Sequence, residues 1–390
     1  MELSQRISRI SVSSTLAVVQ KAAKLKASGV SVVDFGAGEP DFPTPDNIKK
    51  AAIEALNQNF TKYTPTGGIL ELKQAMIERH ANDFGSNYSV EECLVTVGGK
   101  QAIFEAVAAT INHGDEVILP VPYWVSFLDI INYAGGRAVL LQTREDDGFK
   151  VRAEEVEKLI TPKTKLIIVN SPNNPTGAVV PPEEMKKLLD LAVRRKVLLM
   201  SDECYCQFLY EGHKPFSLGH SGNRENLIIV GSLSKTYAMT GWRVGFALGN
   251  RELLQNMLKL QSHSTSNPTS FAQKAGVEAL RGPQDSVQRM LAEYQHRRNR
   301  IVAGLRAIPG IQCTMPEGAF YVYPNVSAYL KKDGITDSSV LVEKLLAEAH
   351  VALVPGPAFG TEDHVRISYA TSEGQINEGL RRMKEFFGKL

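Results

Sequence analysis

At 390 residues the chain is longer than one hydrophobic core usually serves, so two domains are expected. Its 44 basic and 42 acidic residues leave a net charge of +2, which gives no reason to expect a nucleic acid or an anionic membrane as partner. No apolar run approaches the roughly eighteen residues of a spanning helix, and the opening stretch lacks a signal-peptide core, so a cytoplasmic protein is expected.

Residues 1–30 read as an arm and a helix, with Ser13 or Ser14 as cap and Ala17, Val18, Lys21, Ala22 and Leu25 at helical spacing. A strand over 30–35 runs into Gly36-Ala37-Gly38-Glu39-Pro40. Those glycines make either a tight turn or a place where backbone approaches a ligand closely. A helix over 46–58 precedes a loop carrying Tyr63. The strand 93–97 then leads through Gly98-Gly99-Lys100-Gln101 into an apolar helix over 102–110. Strand, glycine turn and helix start together present backbone amides and a positive dipole end to an anion. The spacing is neither that of a Walker loop nor that of the G-x-G-x-x-G dinucleotide pattern.

Apolar runs over 116–119, 165–169, 197–200 and 226–231 read as buried strands, with a polar helix over 182–195 before the third. Lying between helices, they imply an α/β fold with a mostly parallel sheet covered on both faces. Each run leads into residues with chemical potential. Trp124, after the first, either packs in the core or stacks on a planar ring. Asn173-Asn174-Pro175-Thr176-Gly177, after the second, places amides at the sheet edge where α/β ligands bind, with Pro172 and Pro175 as candidates for cis peptides. Asp202, ending the third, is either a cap or a paired charge. Cys204-Tyr205-Cys206 would set both sulfurs on one face of a strand. With Cys93 and Cys313 distant and no histidine completing a zinc site, the cysteines are read as core packing and no metal is expected.

The fourth run enters Ser232-Leu233-Ser234-Lys235, with Gly241 and Arg243 beyond. Burial disfavours an ammonium, so Lys235 there can lose its proton near neutrality and act as a nucleophile. Ser232, Ser234 and Arg243 have the groups to hold a phosphate. The plainer alternative is a loop lysine with turn-forming serines and an ion-paired arginine. Past residue 282 the pattern changes to a long charged helix over 285–306 and strands over 319–323, 351–356 and 365–370. Arg366 lies inside the last of these and requires an anion, either an internal carboxylate or a substrate's.

Taken in order, the segments around Asn174, Asp202, Lys235 and Arg366 resemble those of class I aminotransferases, enzymes that use pyridoxal 5'-phosphate (PLP). The resemblance covers nearly the whole chain and is strongest to the bacterial and plant aspartate aminotransferases, some of which also accept prephenate. It implies the PLP-dependent transferase fold type I, with a seven-stranded, mostly parallel sheet in a large domain and a smaller α/β domain. The expected division is 1–45 as arm and part of the small domain, 46–282 as the large domain and 283–390 as the small one. Lys235 is implied as the Schiff-base lysine and proton carrier, Asp202 as partner of the pyridine nitrogen, and Tyr205 and Asn174 as partners of the ring oxygen. Trp124 would stack on the ring. Gly99, Lys100, Gln101, Ser232, Ser234 and Arg243 would surround the phosphate, joined by Tyr63 from the neighbouring subunit of a homodimer. Gly38, Trp124, Asn174 and Arg366 would contact substrate, Arg366 taking its α-carboxylate. The segment 262–268 lacks the arginine that related enzymes use for a distal carboxylate. That role is implied for Lys100 with Ser13 and Thr15. The implied reaction moves an amino group between L-aspartate and 2-oxoglutarate in two half-reactions. Alternatives are an aromatic, prephenate or broad-specificity aminotransferase, or a PLP-dependent lyase of the same fold.

Overall fold

The computed structural model describes residues 4–12 and 14–390, the side chains of 14–17 and 19 excepted. Ser13 therefore lies outside the described residues, as does the side chain of Thr15, whose backbone belongs to the helix Ser14–Ala27. Among the described residues twelve strands form three sheets: β1 (Val33–Asp34), β2 (Cys93–Thr96), β3 (Glu116–Val121), β4 (Arg137–Gln142), β5 (Thr164–Asn170), β6 (Leu198–Asp202), β7 (Leu227–Ser232), β8 (Gly245–Gly249), β9 (Tyr321–Val322), β10 (Val351–Ala352), β11 (Val354–Pro355) and β12 (Val365–Ser368).

The main sheet has seven strands in the order β2-β8-β7-β6-β5-β3-β4. All its pairings are parallel except those of β8, which runs antiparallel to both β2 and β7. Side chains alternate across a strand, so the continuous apolar runs supply two cores. Ile167, Val169, Leu199 and Ile229 pack on one face, against the helices Leu70–Phe84, Pro182–Arg195 and Ser270–Arg281. Ile168, Met200, Ile228 and Val230 pack on the other, against Gly99–Thr110 and Arg251–Ser262. Burial on both faces is what a parallel sheet demands.

A third core gathers Val33 and Phe35 with Tyr205, Phe208 and Tyr210 and with the helices Asp285–Arg306 and Glu373–Phe387. Here β1 pairs in parallel with β10, and β11, β12 and β9 form an antiparallel sheet. The N-terminal segment thus joins the C-terminal one.

Several local expectations are corrected. The strand expected over 30–35 is paired only at Val33–Asp34, and that over 319–323 only at Tyr321–Val322. The helix expected from 102 starts at Gly99, because Gly98 at φ +81° turns the chain directly into it. Residues 204–206 form a turn rather than a strand, so the two sulfurs do not share a sheet face. Pro172 and Pro175 follow cis peptide bonds, and so does Pro122. No helix among the described residues is long and apolar enough to cross a membrane.

Candidate active site

Asn170, Asp202 and Ser232 end three adjacent strands, β5, β6 and β7, at the same sheet edge. The helix Gly99–Thr110 begins where β2 ends, so its N-terminal amides face that edge too. A cavity of about 310 Å³ opens there. It is lined by Gly38, Gly99, Lys100, Trp124, Asn174, Asp202, Tyr205, Ser232, Ser234, Lys235, Arg243 and Arg366, twelve of the residues singled out from the sequence.

Lys235 comes after β7 in a four-residue helical turn that Ser232 caps, its Oγ accepting from the Ser234 amide at 3.1 Å. The Lys235 Nζ donates to the Gly38 carbonyl at 2.5 Å. Burial pushes this amine down from 10.5 to about 8, with Arg366 and Arg243 pressing the same way and Cys204 and Glu39 opposing. The amine is therefore about one-tenth unprotonated at pH 7, far more than an ordinary lysine.

Three charged groups around the lysine lack a counter-ion among the described residues. Asp202 is 4% exposed and accepts from the Cys204 amide at 3.1 Å, with no basic side chain in ion-pair range. Burial raises its carboxyl to about 6. The guanidinium of Arg243 bonds only to carbonyls, those of Thr240 at 2.9 Å and Val97 at 3.3 Å. It lies over Gly98, where any Cβ would come within 2.3 Å of Nη2. Arg366 is 2% exposed, donating from Nη1 to Asn174 Oδ1 at 3.1 Å and from Nη2 to the Gly36 carbonyl at 2.8 Å. Its Nε has no partner, and Tyr321 and Phe359 hold the guanidinium between their rings. A buried unpaired charge is costly, so the cavity calls for a cation at Asp202 and an anion at Arg366, while the exposed Arg243 guanidinium stands free to take a second anion.

Lys100 stands at one end of this cavity, and Gln101 and Tyr63 stand outside it. Lys100 Nζ stands 5.0 Å from the Trp124 ring centroid, and partial burial and then Arg243 lower its pKa. Gln101 is at the helix start, but its side chain turns to Glu105 (2.6 Å) and does not line the cavity. Tyr63 is 92% exposed and does not reach the cavity of its own chain. Sequence reasoning did not single out Tyr321, whose hydroxyl is 2.8 Å from that of Tyr205, or Asn170, whose Oδ1 accepts from the Asn174 amide at 2.8 Å. Asn170 had a signal, since it ends a buried strand as Asp202 does. Tyr321 is one aromatic among several in its strand and had none.

Residues 30–383 match the family model for aminotransferase class I and II. The chain belongs to that family. It is 42% identical over 386 residues to an aspartate aminotransferase of Bacillus sp. (strain YM-2), covering 98% of each chain. It is 44% identical over 395 residues to a probable aspartate/prephenate aminotransferase of Rhizobium leguminosarum bv. phaseoli, covering 99% of this chain and 98% of the relative. The structure of Thermus thermophilus aspartate aminotransferase with maleate superposes with a TM-score of 0.95 at 42% identity, covering 99% of both chains. This aminotransferase therefore has the PLP-dependent fold type I, and PLP is the family's cofactor. The unmatched charges fit it. Asp202 suits a protonated pyridine nitrogen, Arg243 with Ser232, Ser234 and the helix start suits a phosphate, and Arg366 is left for a substrate carboxylate.

Proposed function

We propose that the protein transfers the amino group between L-aspartate and 2-oxoglutarate, PLP-dependently and in two half-reactions. The observation that carries this reading is a lysine amine, lowered by burial to about 8, among three charges that have no counter-ion among the described residues. Bound PLP supplies an electron-withdrawing ring that stabilises negative charge developing at the substrate α-carbon. Lys235 would hold the cofactor's aldehyde carbon through its amine, and the same amine would carry the proton leaving the substrate α-carbon. Asp202 would keep the ring nitrogen protonated, while Tyr205 and Asn174 would hold the ring oxygen. Trp124 would pack over the ring, and the Gly99 and Gln101 amides would join Ser232, Ser234 and Arg243 in holding the phosphate.

Arg366 grips the α-carboxylate beside Gly38, where a Cβ would stand 3.1 Å from the Tyr321 hydroxyl and 3.9 Å from both guanidinium nitrogens. Lys100, the cation at the Trp124 end of the cavity, serves a distal carboxylate, with Ser13 and Thr15 as hydroxyl partners. Prephenate is a second acceptor to consider, because relatives at 42–44% identity carry that substrate in their names.

We further infer a cytoplasmic homodimer in which Tyr63 completes the neighbouring subunit's phosphate site. Support comes from an exposed aromatic with Leu70, 58% exposed, a few residues along the chain, and from four free cysteines that suit a reducing compartment. The division into 1–45, 46–282 and 283–390 is proposed on the same footing, supported by the separate third core. A donor and acceptor panel tests the activity. Aspartate should convert cofactor-loaded protein to its amine form, and 2-oxoglutarate should restore the original absorption. Product formed without matched consumption of an oxo acid would point to a lyase instead.

A further inference from the structure

A second cavity of about 330 Å³ lies behind the first, with β6 between them. Alternation along this strand sends Asp202 toward the first cavity and Ser201 toward the second, and Glu203, just past the strand's end, also lines the second. Nothing in the transfer reaction uses this space.

Glu203 is 5% exposed, yet its carboxylate is only half satisfied. Its Oε1 accepts from Ser201 Oγ at 3.0 Å and from Ser217 Oγ at 2.9 Å. Its Oε2 has no hydrogen bond among the described residues, and the nearest basic atom is His80 Nε2 at 3.7 Å. That imidazole is already engaged, Nδ1 by Ser86 at 2.7 Å and Nε2 by Ser217 at 3.3 Å. The free oxygen belongs to a residue that lines the cavity, where a better-placed cation than His80 could meet it.

The rest of the cavity says which cation. Its walls are apolar, including Pro172, Val180, Met185 and Phe216. No cluster of His, Cys, Asp and Glu among the described residues has metal-holding composition. Exposed His213 and Lys214 form the rim and favour a neutral or anionic outer end on whatever enters. We propose that this second cavity binds a small organic cation with an apolar body, an arylalkyl amine, amidine or guanidine, held by the free oxygen of Glu203. Occupancy reaches the first cavity through charge. Glu203 helps to hold the Asp202 carboxyl up, and a cation beside it withdraws that influence from the carboxylate meant for the ring nitrogen.

Benzamidine is a suitable probe, since its planar, permanently charged fork matches a carboxylate and its ring matches the walls. Calorimetric titration of the cofactor-loaded protein, with and without saturating maleate, should show saturable binding of one molecule per chain that maleate leaves unchanged. Glu203→Gln should weaken binding by about tenfold to a hundredfold. Val179→Trp, which fills the cavity from its wall and leaves the Glu203 carboxylate in place, should weaken it comparably and covers the case of a Glu203 variant that does not fold. Absence of saturable binding, equal affinity in the Val179 variant, or competition with maleate would each overturn the proposal.

Discussion

Replacing Arg366 with lysine keeps a positive charge at the substrate end of the cavity but removes the planar fork. In the protein two guanidinium nitrogens are already committed, Nη1 to Asn174 Oδ1 at 3.1 Å and Nη2 to the Gly36 carbonyl at 2.8 Å. The rings of Tyr321 and Phe359, with centroids 4.7 and 5.2 Å from Cζ, fix its plane. An ammonium on a flexible stem cannot keep both protein bonds and still offer paired donors to a carboxylate. Losing one charge-assisted hydrogen bond costs about 1.5–3 kcal/mol, which is a fall of roughly 10- to 150-fold in kcat/KM. The assay is initial-rate kinetics with 2-oxoglutarate as acceptor, run once with aspartate and once with alanine as donor. Every amino acid carries the α-carboxylate, so both donors should lose the same factor while the cofactor absorption stays intact. A loss below about threefold, or one confined to aspartate, would refute the reasoning.

Lys100→Ala should separate the two donors instead. It should raise KM for aspartate about tenfold and leave alanine unchanged, and an equal rise for both would remove the distal role from Lys100. Cofactor-free protein reports on Lys235 directly. Its folded value of about 8 lies below the unfolded 10.5, so between these the unfolded chain binds more protons. The penalty on stability is full below about 8 and gone by about 10.5, so Lys235→Met should melt higher than its parent at neutral pH, with the gap closing across that window. A constant gap in pH-dependent thermal melts would contradict a buried, proton-shedding amine. Gly98→Ala puts a Cβ 2.3 Å from Arg243 Nη2 at a backbone φ of +81°, so PLP affinity measured by fluorescence titration should drop about tenfold or more. Unaltered affinity would take Arg243 off the phosphate.

Much of this is legible along the chain, and the pattern of successes is physical. The helices Pro182–Arg195 and Asp285–Arg306 can be read with their bounds because proline, charge and periodicity are local signals. The buried runs ending in Asn170, Asp202 and Ser232 imply a parallel sheet because strands covered on both faces have no polar side to show. The strand β8 is not foreseen, since Gly245–Gly249 is short and rich in glycine, and its antiparallel place depends on its two neighbours. The turn at Cys204–Cys206 reads wrongly as strand because three residues carry too little periodicity to tell the two apart.

The order and chemistry of the motifs determined the family, the lysine and the charges available to the site, since those depend on which groups the chain carries. Only tertiary structure decided their company. The Lys235 amine meets the Gly38 carbonyl across 197 residues, and Arg366 meets Asn174 across 192. It also decided that three charges would share one cavity with no counter-ion among the described residues, and that Glu203 would line another with an oxygen that takes no hydrogen bond from them. Proximity between distant segments arises from how whole layers pack, and no window of sequence holds that information.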